Sequence, residues 1–312
     1  MIVVTGAAGF IGSNLVRGLN QLGEDDVVAV DDLSDGDKHR NMACLKLSDY
    51  IDKDDLPSAL RGLKKPAAVF HQGACSSTTE RNGKYMMANN YEYSKVLLEY
   101  CQAQRVPFIY ASSAAVYGSG RNGFREETVC ECPLNIYAYS KLAFDNWVRR
   151  AQTTATAPIV GLRYFNVYGP QENHKDEMTS VAWQLFQKQK RGEALELFEG
   201  SAEFLRDFVY VDDCVAVNLH FLEHPASGIF NVGTGKARSF DEVARIAIRL
   251  MGGGDIRHVP FPDHLLGKYQ LLTQADLTRL RSAGYARPFH SLEAGMSEYF
   301  QVLEEANGYY PC

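Results

Sequence analysis

Short apolar runs alternate with longer amphipathic stretches through the first half of the chain. The runs Ile2–Thr5, Val27–Asp31, Ala67–His71, Phe108–Ser112 and Ile159–Tyr164 are rich in β-branched residues and have strand length. Between them, Ile11, Leu15, Leu19 and Leu22 fall at helical spacing, as do Val96, Leu97 and Tyr100. Pro66, Pro107 and Pro158 stand just before strand runs, where they stop a preceding helix without removing a ladder hydrogen bond. Such alternation predicts βαβ units, hence an α/β fold with a doubly wound parallel sheet and helices on both faces. Past residue 166 the rhythm loosens. Two further strand runs, Phe208–Val211 and Gly228–Val232, flank a helical stretch from Asp212 to Leu222, and the remainder reads as helices and loops of a second, smaller domain. The expected division is 1–166 with returning segments at 207–233, against 167–206 with 234–312. Gly252-Gly-Gly254 reads as a turn, because no helix start follows it, and there is no internal repeat or low-complexity tract.

Length and charge narrow the class. A chain of 312 residues, 46% hydrophobic, suits one large or two closely joined domains and can bury a core that needs no staples. Its seven cysteines are scattered, and the lone C-x-C at Cys130 and Cys132 lacks the second pair of a zinc site, so reduced thiols and no metal are expected. With 38 acidic and 32 basic residues, net −6, it has no footprint for nucleic acid. No apolar run approaches the ~20 residues of a membrane span, and Ile2-Val-Val-Thr5 reads as a strand rather than a signal peptide. The expectation is a soluble, cytoplasmic protein with a small-molecule partner.

Two motifs carry chemistry. Thr5-Gly-Ala-Ala-Gly-Phe-Ile-Gly12 ends the first strand and opens the first helix. There Gly6 permits a tight turn, Gly9 lets a pyrophosphate approach the backbone, and Gly12 lets helix and strand pack closely. The free N–H groups and dipole of that helix terminus favour an anion. Asp31, ending the second strand, supplies the acidic position that accepts from an adenosine ribose 2′-hydroxyl and so favours NAD. Lys38 and Lys53 are placed to neutralise a 2′-phosphate instead, so both NAD and NADP remain open at this point. The second motif is Tyr137-Ala-Tyr-Ser-Lys141, at the start of a helix continuing through Leu142, Phe144, Trp147 and Val148. Four-residue spacing sets both side chains on one face, where an ammonium is expected to lower the phenol from ~10 toward neutrality. A tyrosine tuned in this way moves the proton of a sugar hydroxyl while hydride passes to nicotinamide. Tyr110-Ala-Ser-Ser-Ala-Ala-Val-Tyr-Gly118 brings Ser113, and less favourably Ser112, to the carboxyl end of a strand, the edge that borders the ligand crevice.

Together these motifs resemble the extended short-chain dehydrogenase/reductase superfamily, Rossmann-like enzymes acting largely on nucleotide sugars. Its dehydratases usually carry an acidic pair after the serine; here Ala114-Ala115 stands there, pointing to an epimerase or simple oxidoreductase. The segments His71–Thr79, Gly83–Met87, Asn89–Tyr91, Tyr164–Pro170, Phe198–Ser201, Phe208–Asp212 and Pro260–Leu277 are similar to the ADP-glyceromanno-heptose 6-epimerase family across nearly the whole chain.

That resemblance implies interconversion of the D-glycero and L-glycero forms of ADP-manno-heptose at C6″, for lipopolysaccharide core assembly. It also implies tightly held NADP and a homo-oligomer, a pentamer. By the same match Phe10, Ile11, Asp31, Asp32, Lys38, Lys53, Ala74, Ser76 and Asn89 line the cofactor. Asn166, Val167, Phe198, Ser201, Arg206 and Tyr269 line the substrate. Such an epimerase oxidises the alcohol to a ketone and returns the hydride to the other face, which asks for a second acid/base. Lys175 matches the family's candidate, although Asp176 and Glu177 beside it would hold it protonated, and Gln184 stands where some relatives have histidine. Arg206 suits nucleotide phosphates through its planar fork, with a salt bridge to Asp207 as the plainer reading. A UDP-hexose 4-epimerase-like enzyme would share loop, serine and Tyr–Lys pair; a redox-sensing binding module would typically lose the tyrosine or lysine. Since cofactor and substrate are both anionic, Lys38, Lys53, Lys141, Lys175 and Arg206 are expected around one basic cleft on an acidic body.

Overall fold

The computed structural model describes residues 1–262 and 270–311. Seven strands form one wholly parallel sheet: β1 (Ile2–Thr5), β2 (Val27–Asp31), β3 (Asp49–Asp52), β4 (Ala68–His71), β5 (Phe108–Ser113), β6 (Ile159–Tyr164) and, returning late, β11 (Gly228–Val232). Their spatial order is β3-β2-β1-β4-β5-β6-β11, with register partners such as Thr5 beside Val30 and His71. The chain therefore reverses its winding between β1 and β4, and in doubly wound sheets ligands bind at the carboxyl edge of that crevice. All seven strand runs legible in the sequence recur within one residue of their expected ends.

Side chains of β1 explain why those runs do not alternate. Ile2 and Val4 pack with Leu15, Val16 and Leu19 of α1 (Phe10–Gln21) and with Val217 and Phe221 of α7 (Val211–Glu223) on one face. Val3 packs on the other, with Leu97 and Leu98 of α4 (Tyr93–Gln104) and Phe144 and Val148 of α5 (Ile136–Ala151). With both faces covered, apolar residues are needed at every position. Leu22 departs from its expected face: it caps α1 after the last turn and is 58% exposed. Short helices α2 (Leu56–Ala59) and α3 (Gly83–Met87) lie in the connections.

The later chain builds a second apolar centre around α6 (Val181–Lys190), α8 (Phe240–Met251) and α10 (Leu292–Ala306), joined by Leu195 and Leu197. It is not only helix and loop, as its sequence suggested. Three two-stranded ribbons occur: β7 (Asn166–Tyr168) with β10 (Phe208–Tyr210), β9 (Leu205–Arg206) with β12 (Arg238–Ser239), and β8 (Leu195–Phe198) with β13 (Ile256–Val259). A short α9 (Thr278–Ser282) packs back on the β11 side. Gly252 ends α8 in the left-handed conformation, φ 77°, so the triple glycine is a helix stop. Cys75, Cys101, Cys130, Cys132 and Cys214 are free thiols, whereas Cys44 is disulfide-bonded, against the expectation of reduced cysteines throughout. Among the described residues no helix is long and apolar enough to cross a membrane.

Candidate active site

A cavity of about 590 Å³ opens along the carboxyl ends of β1, β2, β4 and β5, within the range of small-molecule and cofactor sites. Its floor is the glycine loop. Gly6 has φ +69°, and a Cβ there would lie 2.6 Å from the Gly73 nitrogen; a Cβ on Gly12 would run into the Gly6 carbonyl oxygen. α1 starts at Gly9 with no side-chain cap and no acidic residue in its first turn. Its first N–H groups thus face the cavity unclaimed by a local carboxylate, the condition an entering pyrophosphate requires. Ala74, Ser76 and Asn89 border the same space.

At the β2 end Asp31 lines the cavity and also clasps the glycine loop. Its carboxylate accepts from the Ala8 N–H (2.7 Å) and the Asp32 N–H (2.7 Å) and pairs with Lys38, whose Nζ also reaches the Asp32 carbonyl at 2.7 Å. Three of a carboxylate's roughly four acceptor positions thereby hold the glycine loop and Lys38 against β2. Lys53 is ion-paired to Asp54 at 2.6 Å while still lining the cavity. His174 also lines it, hydrogen-bonded to Asn41 at 3.2 Å; burial first, then the nearby Lys38 and Lys175 charges, push it down to about 4. Nothing in the sequence marked His174 beyond its place before Lys175.

The Tyr137–Lys141 pair lies where β5 meets α5. Asn135 caps α5 by accepting the Ala138 N–H at 2.8 Å, so Tyr137 falls in the first turn with its side chain over the strand end. Ser113 hydrogen-bonds Tyr137, whereas Ser112 gives its hydroxyl to Asp145 at 3.0 Å, which separates the two serines. The Lys141 Nζ donates to the Ala111 carbonyl at 2.8 Å. Burial pushes Lys141 down to about 8. Burial also pushes the Tyr137 phenol above its ordinary value, and the Ser113 hydrogen bond is what pulls the other way. The expected lowering of Tyr137 by the Lys141 charge is therefore corrected: the ammonium is turned to a backbone carbonyl, and desolvation dominates.

Lys175 enters from the opposite wall. Its Nζ sits 5.0 Å from the Phe10 ring centroid and 3.7 Å from Glu172. Glu172, fully buried, also accepts from the Tyr299 hydroxyl at 2.9 Å and from Ser180. Asp176 and Glu177 instead border a separate shallow depression with Trp183 and Gln184. Asp176 has φ 47°, a reversal that turns these carboxylates from Lys175.

The remaining expected residues divide. Val167 lines the cavity, and Asn166 beside it accepts from Thr273 at 3.3 Å. Arg206, Ser201 and Phe198 are not among the described residues that line it, so Lys38, Lys53, Lys141 and Lys175 share the cleft without Arg206. Arg206 and Ser201 gather at the amino end of α8, Arg206 packing 5.5 Å from the Phe240 ring and Ser201 donating to Asp241 at 2.9 Å, while the Phe198 ring lies 5.4 Å from Phe261. Asp207 accepts from Thr234, Gly235 and Ala275, an anchor between loops rather than a surface bridge. Tyr269 lies outside the described residues.

A parallel sheet in this order, a glycine loop at its crossover and a Ser–Tyr–Lys group at the next strand end define a nicotinamide-dinucleotide enzyme of the short-chain type. Residues 2–233 match the NAD dependent epimerase/dehydratase family, and the chain belongs to it. More particularly, it is 52% identical, over 99% of both chains, to an ADP-L-glycero-D-manno-heptose-6-epimerase of Brachyspira hyodysenteriae. Among solved structures it is similar to ADP-L-glycero-D-manno-heptose-6-epimerase of Helicobacter pylori, with TM-score 0.85 and 32% identity over 97% of this chain and 96% of that one. It is also similar to UDP-glucose 4-epimerase of Thermotoga maritima, with TM-score 0.85 and 29% identity over 98% and 99%.

Proposed function

We propose that this chain epimerises ADP-glycero-manno-heptose at C6″ between its D-glycero and L-glycero forms, a step toward the lipopolysaccharide core. The observation that carries the reading is the Ser113–Tyr137 pair with Lys141 one turn away, at the crossover edge of the sheet. A full-length relative at 52% identity narrows the substrate class. The glycine loop, with Lys38, Lys53, Tyr137 and Lys141, would hold a nicotinamide dinucleotide, which would supply the hydride acceptor for the alcohol and the donor for the ketone. Tyr137, as the phenolate that the positive charge of an oxidised nicotinamide ring beside it would favour, takes the C6″ hydroxyl proton as that carbon is oxidised to the ketone. Ser113 orients the reacting oxygen by hydrogen bonding. After the intermediate presents its other face, Lys175, on the opposite wall, is the second acid/base that returns the proton. Residues 1–166 with 207–233 hold the cofactor, and 167–206 with 234–312 hold the sugar nucleotide, with Val167 and, beside it, Asn166 at the cavity and Phe198, Ser201, Arg206 and Tyr269 as contacts for the part of the substrate beyond it.

For the cofactor we favour NADP, with Lys38 and Lys53 at the ribose end and Asp31 committed to the loop. The family description names NAD, so titration of both against purified protein decides, and tighter binding of NAD would overturn the preference. A homo-oligomer, a pentamer by resemblance, is the assembly we expect, which sedimentation velocity tests. For the reaction itself, purified protein with ADP-D-glycero-manno-heptose should give the L-glycero form. Turnover of UDP-galactose with none of ADP-heptose would replace this reading with the 4-epimerase one.

A further inference from the structure

Tyr137, Lys141 and Asp145 follow one another at four-residue intervals on α5, so three ionisable groups rise along one helix face. Asp145 is fully buried, and its carboxylate accepts four hydrogen bonds: from the Tyr110 hydroxyl (2.9 Å), the Ser112 hydroxyl (3.0 Å), and Arg163 Nε (2.9 Å) and Nη2 (2.7 Å). Tyr110 and Ser112 are the two residues flanking Ala111, whose carbonyl holds the Lys141 ammonium. The next residue, Ser113, meets Tyr137. One carboxylate thus fastens the helix that carries the reactive pair to the strand that carries both its partners. Arg163, on β6, is fully buried as well and reaches Glu131 at 2.6 Å; Glu131 is held in turn by Arg149 at 2.9 Å. A buried ion pair is a weak source of net stability, so its placement directly behind Lys141 calls for another account.

We propose that Asp145 and Arg163 form a positioning pair, in which Asp145 holds α5 in register on β5 and supplies the negative charge that keeps Lys141 an ammonium, while Arg163 keeps Asp145 from drawing Lys141 away from Ala111. This rests on Tyr137 and Lys141 being the reactive pair. Around Lys141 stand Tyr137 and Asp145 from its own helix, Cys75 from the segment after β4, and His71 from β4. Burial pushes His71 down to about 3, so it carries no charge near neutrality. Burial lowers Lys141, and Asp145 is the first of the groups that raise it, ahead of Cys75.

The test is the titration of Lys141 in the purified enzyme with its bound cofactor, followed by NMR of ¹³C-labelled lysine assigned with Lys141→Arg, alongside the pH profile of kcat/KM. Asp145→Asn removes the charge one turn along α5 from Lys141 and leaves Arg163 with Glu131 as its carboxylate. Both the Lys141 titration and the alkaline limb should move down by about one pH unit, a differential interaction of roughly 1.4 kcal/mol. Arg163→Gln removes the opposing cation, while Glu131 keeps Arg149, and both readouts should move up. Opposite displacements are what a merely structural pair would not give. Lower melting temperatures with unmoved titration, or displacement in the same direction, would overturn the proposal. If Asp145→Asn does not fold, Arg163→Gln decides by the direction of its own displacement. Should wild-type enzyme fail to turn over ADP-heptose while Lys141 titrates as stated, the substrate reading falls and this one stands.

Discussion

At position 137 the spacing to Lys141 places two side chains on one helix face, yet the proton affinity of the phenol is set by what surrounds it. Burial raises it, and the Ser113 hydroxyl is the compensating contact. Tyr137→Phe should lower kcat by about 10²–10⁴-fold while cofactor binding, read by fluorescence of the reduced nicotinamide, stays intact; loss of binding as well would mean a structural rather than a proton-transfer role. Lys175 makes a second case. Its chain neighbours Asp176 and Glu177 face elsewhere, and Glu172, at 3.7 Å, is its carboxylate. Lys175→Met should slow epimerisation by at least ~10²-fold, and a variant near wild-type rate would remove Lys175 from the mechanism. Neighbours in sequence predict neighbours in space only where the backbone is regular, and at Asp176 it is not.

Among the elements, α1 and its loop were legible because their geometry leaves so little choice. A Cβ on Gly12 would meet the Gly6 carbonyl oxygen, so Gly12→Ala must push helix and strand apart. It should cost about 1–3 kcal/mol, as overpacking does, and abolish retained cofactor; urea denaturation and mass analysis of small molecules released on denaturing check both. The sheet was readable for a related reason, since strands covered on both faces must be apolar throughout. β3 escaped notice because Asp49–Asp52 is an edge strand, exposed to half-buried, and half polar. β8 and β13 were missed because a two-stranded ribbon needs only a few apolar side chains, and Arg257 and His258 of β13 face solvent.

For the molecule as a whole, one buried and one half-buried histidine make acid the stress to apply. Burial pushes His71 down to about 3, its ring nitrogens held by Thr5 (2.6 Å) and Ser94 (2.8 Å), and His174 down to about 4. Below pH ~6.5 the unfolded chain binds protons on both while the native state does not, so stability falls as pH drops through that value toward 4. The urea midpoint should therefore decrease between pH 7 and pH 5, and His71→Gln should lessen the decrease; equal slopes would show that His71 contributes nothing. The net charge of −6 leaves the cleft in the same frame. Lys38, Lys53, Lys141 and Lys175 converge on it, while Asp31, Asp32 and Asp35 share its lining, so its field is mixed rather than uniformly basic.

The order of apolar runs, the glycine loop and the Tyr–Lys spacing determined the α/β fold, the nicotinamide-cofactor class and the placing of Tyr137 and Lys141 on one helix face, because each depends on local periodicity or on a conformation only glycine adopts. Tertiary structure alone decided which charges face each other. It made Asp31 the clasp of the glycine loop, set Glu172 beside Lys175, and gathered Arg206 and Ser201 at the amino end of α8. It also set Asp145 and Arg163, 18 residues apart in the chain, into one buried pair behind Lys141. Electrostatic partners are chosen by distance and burial, and neither quantity is written along a sequence.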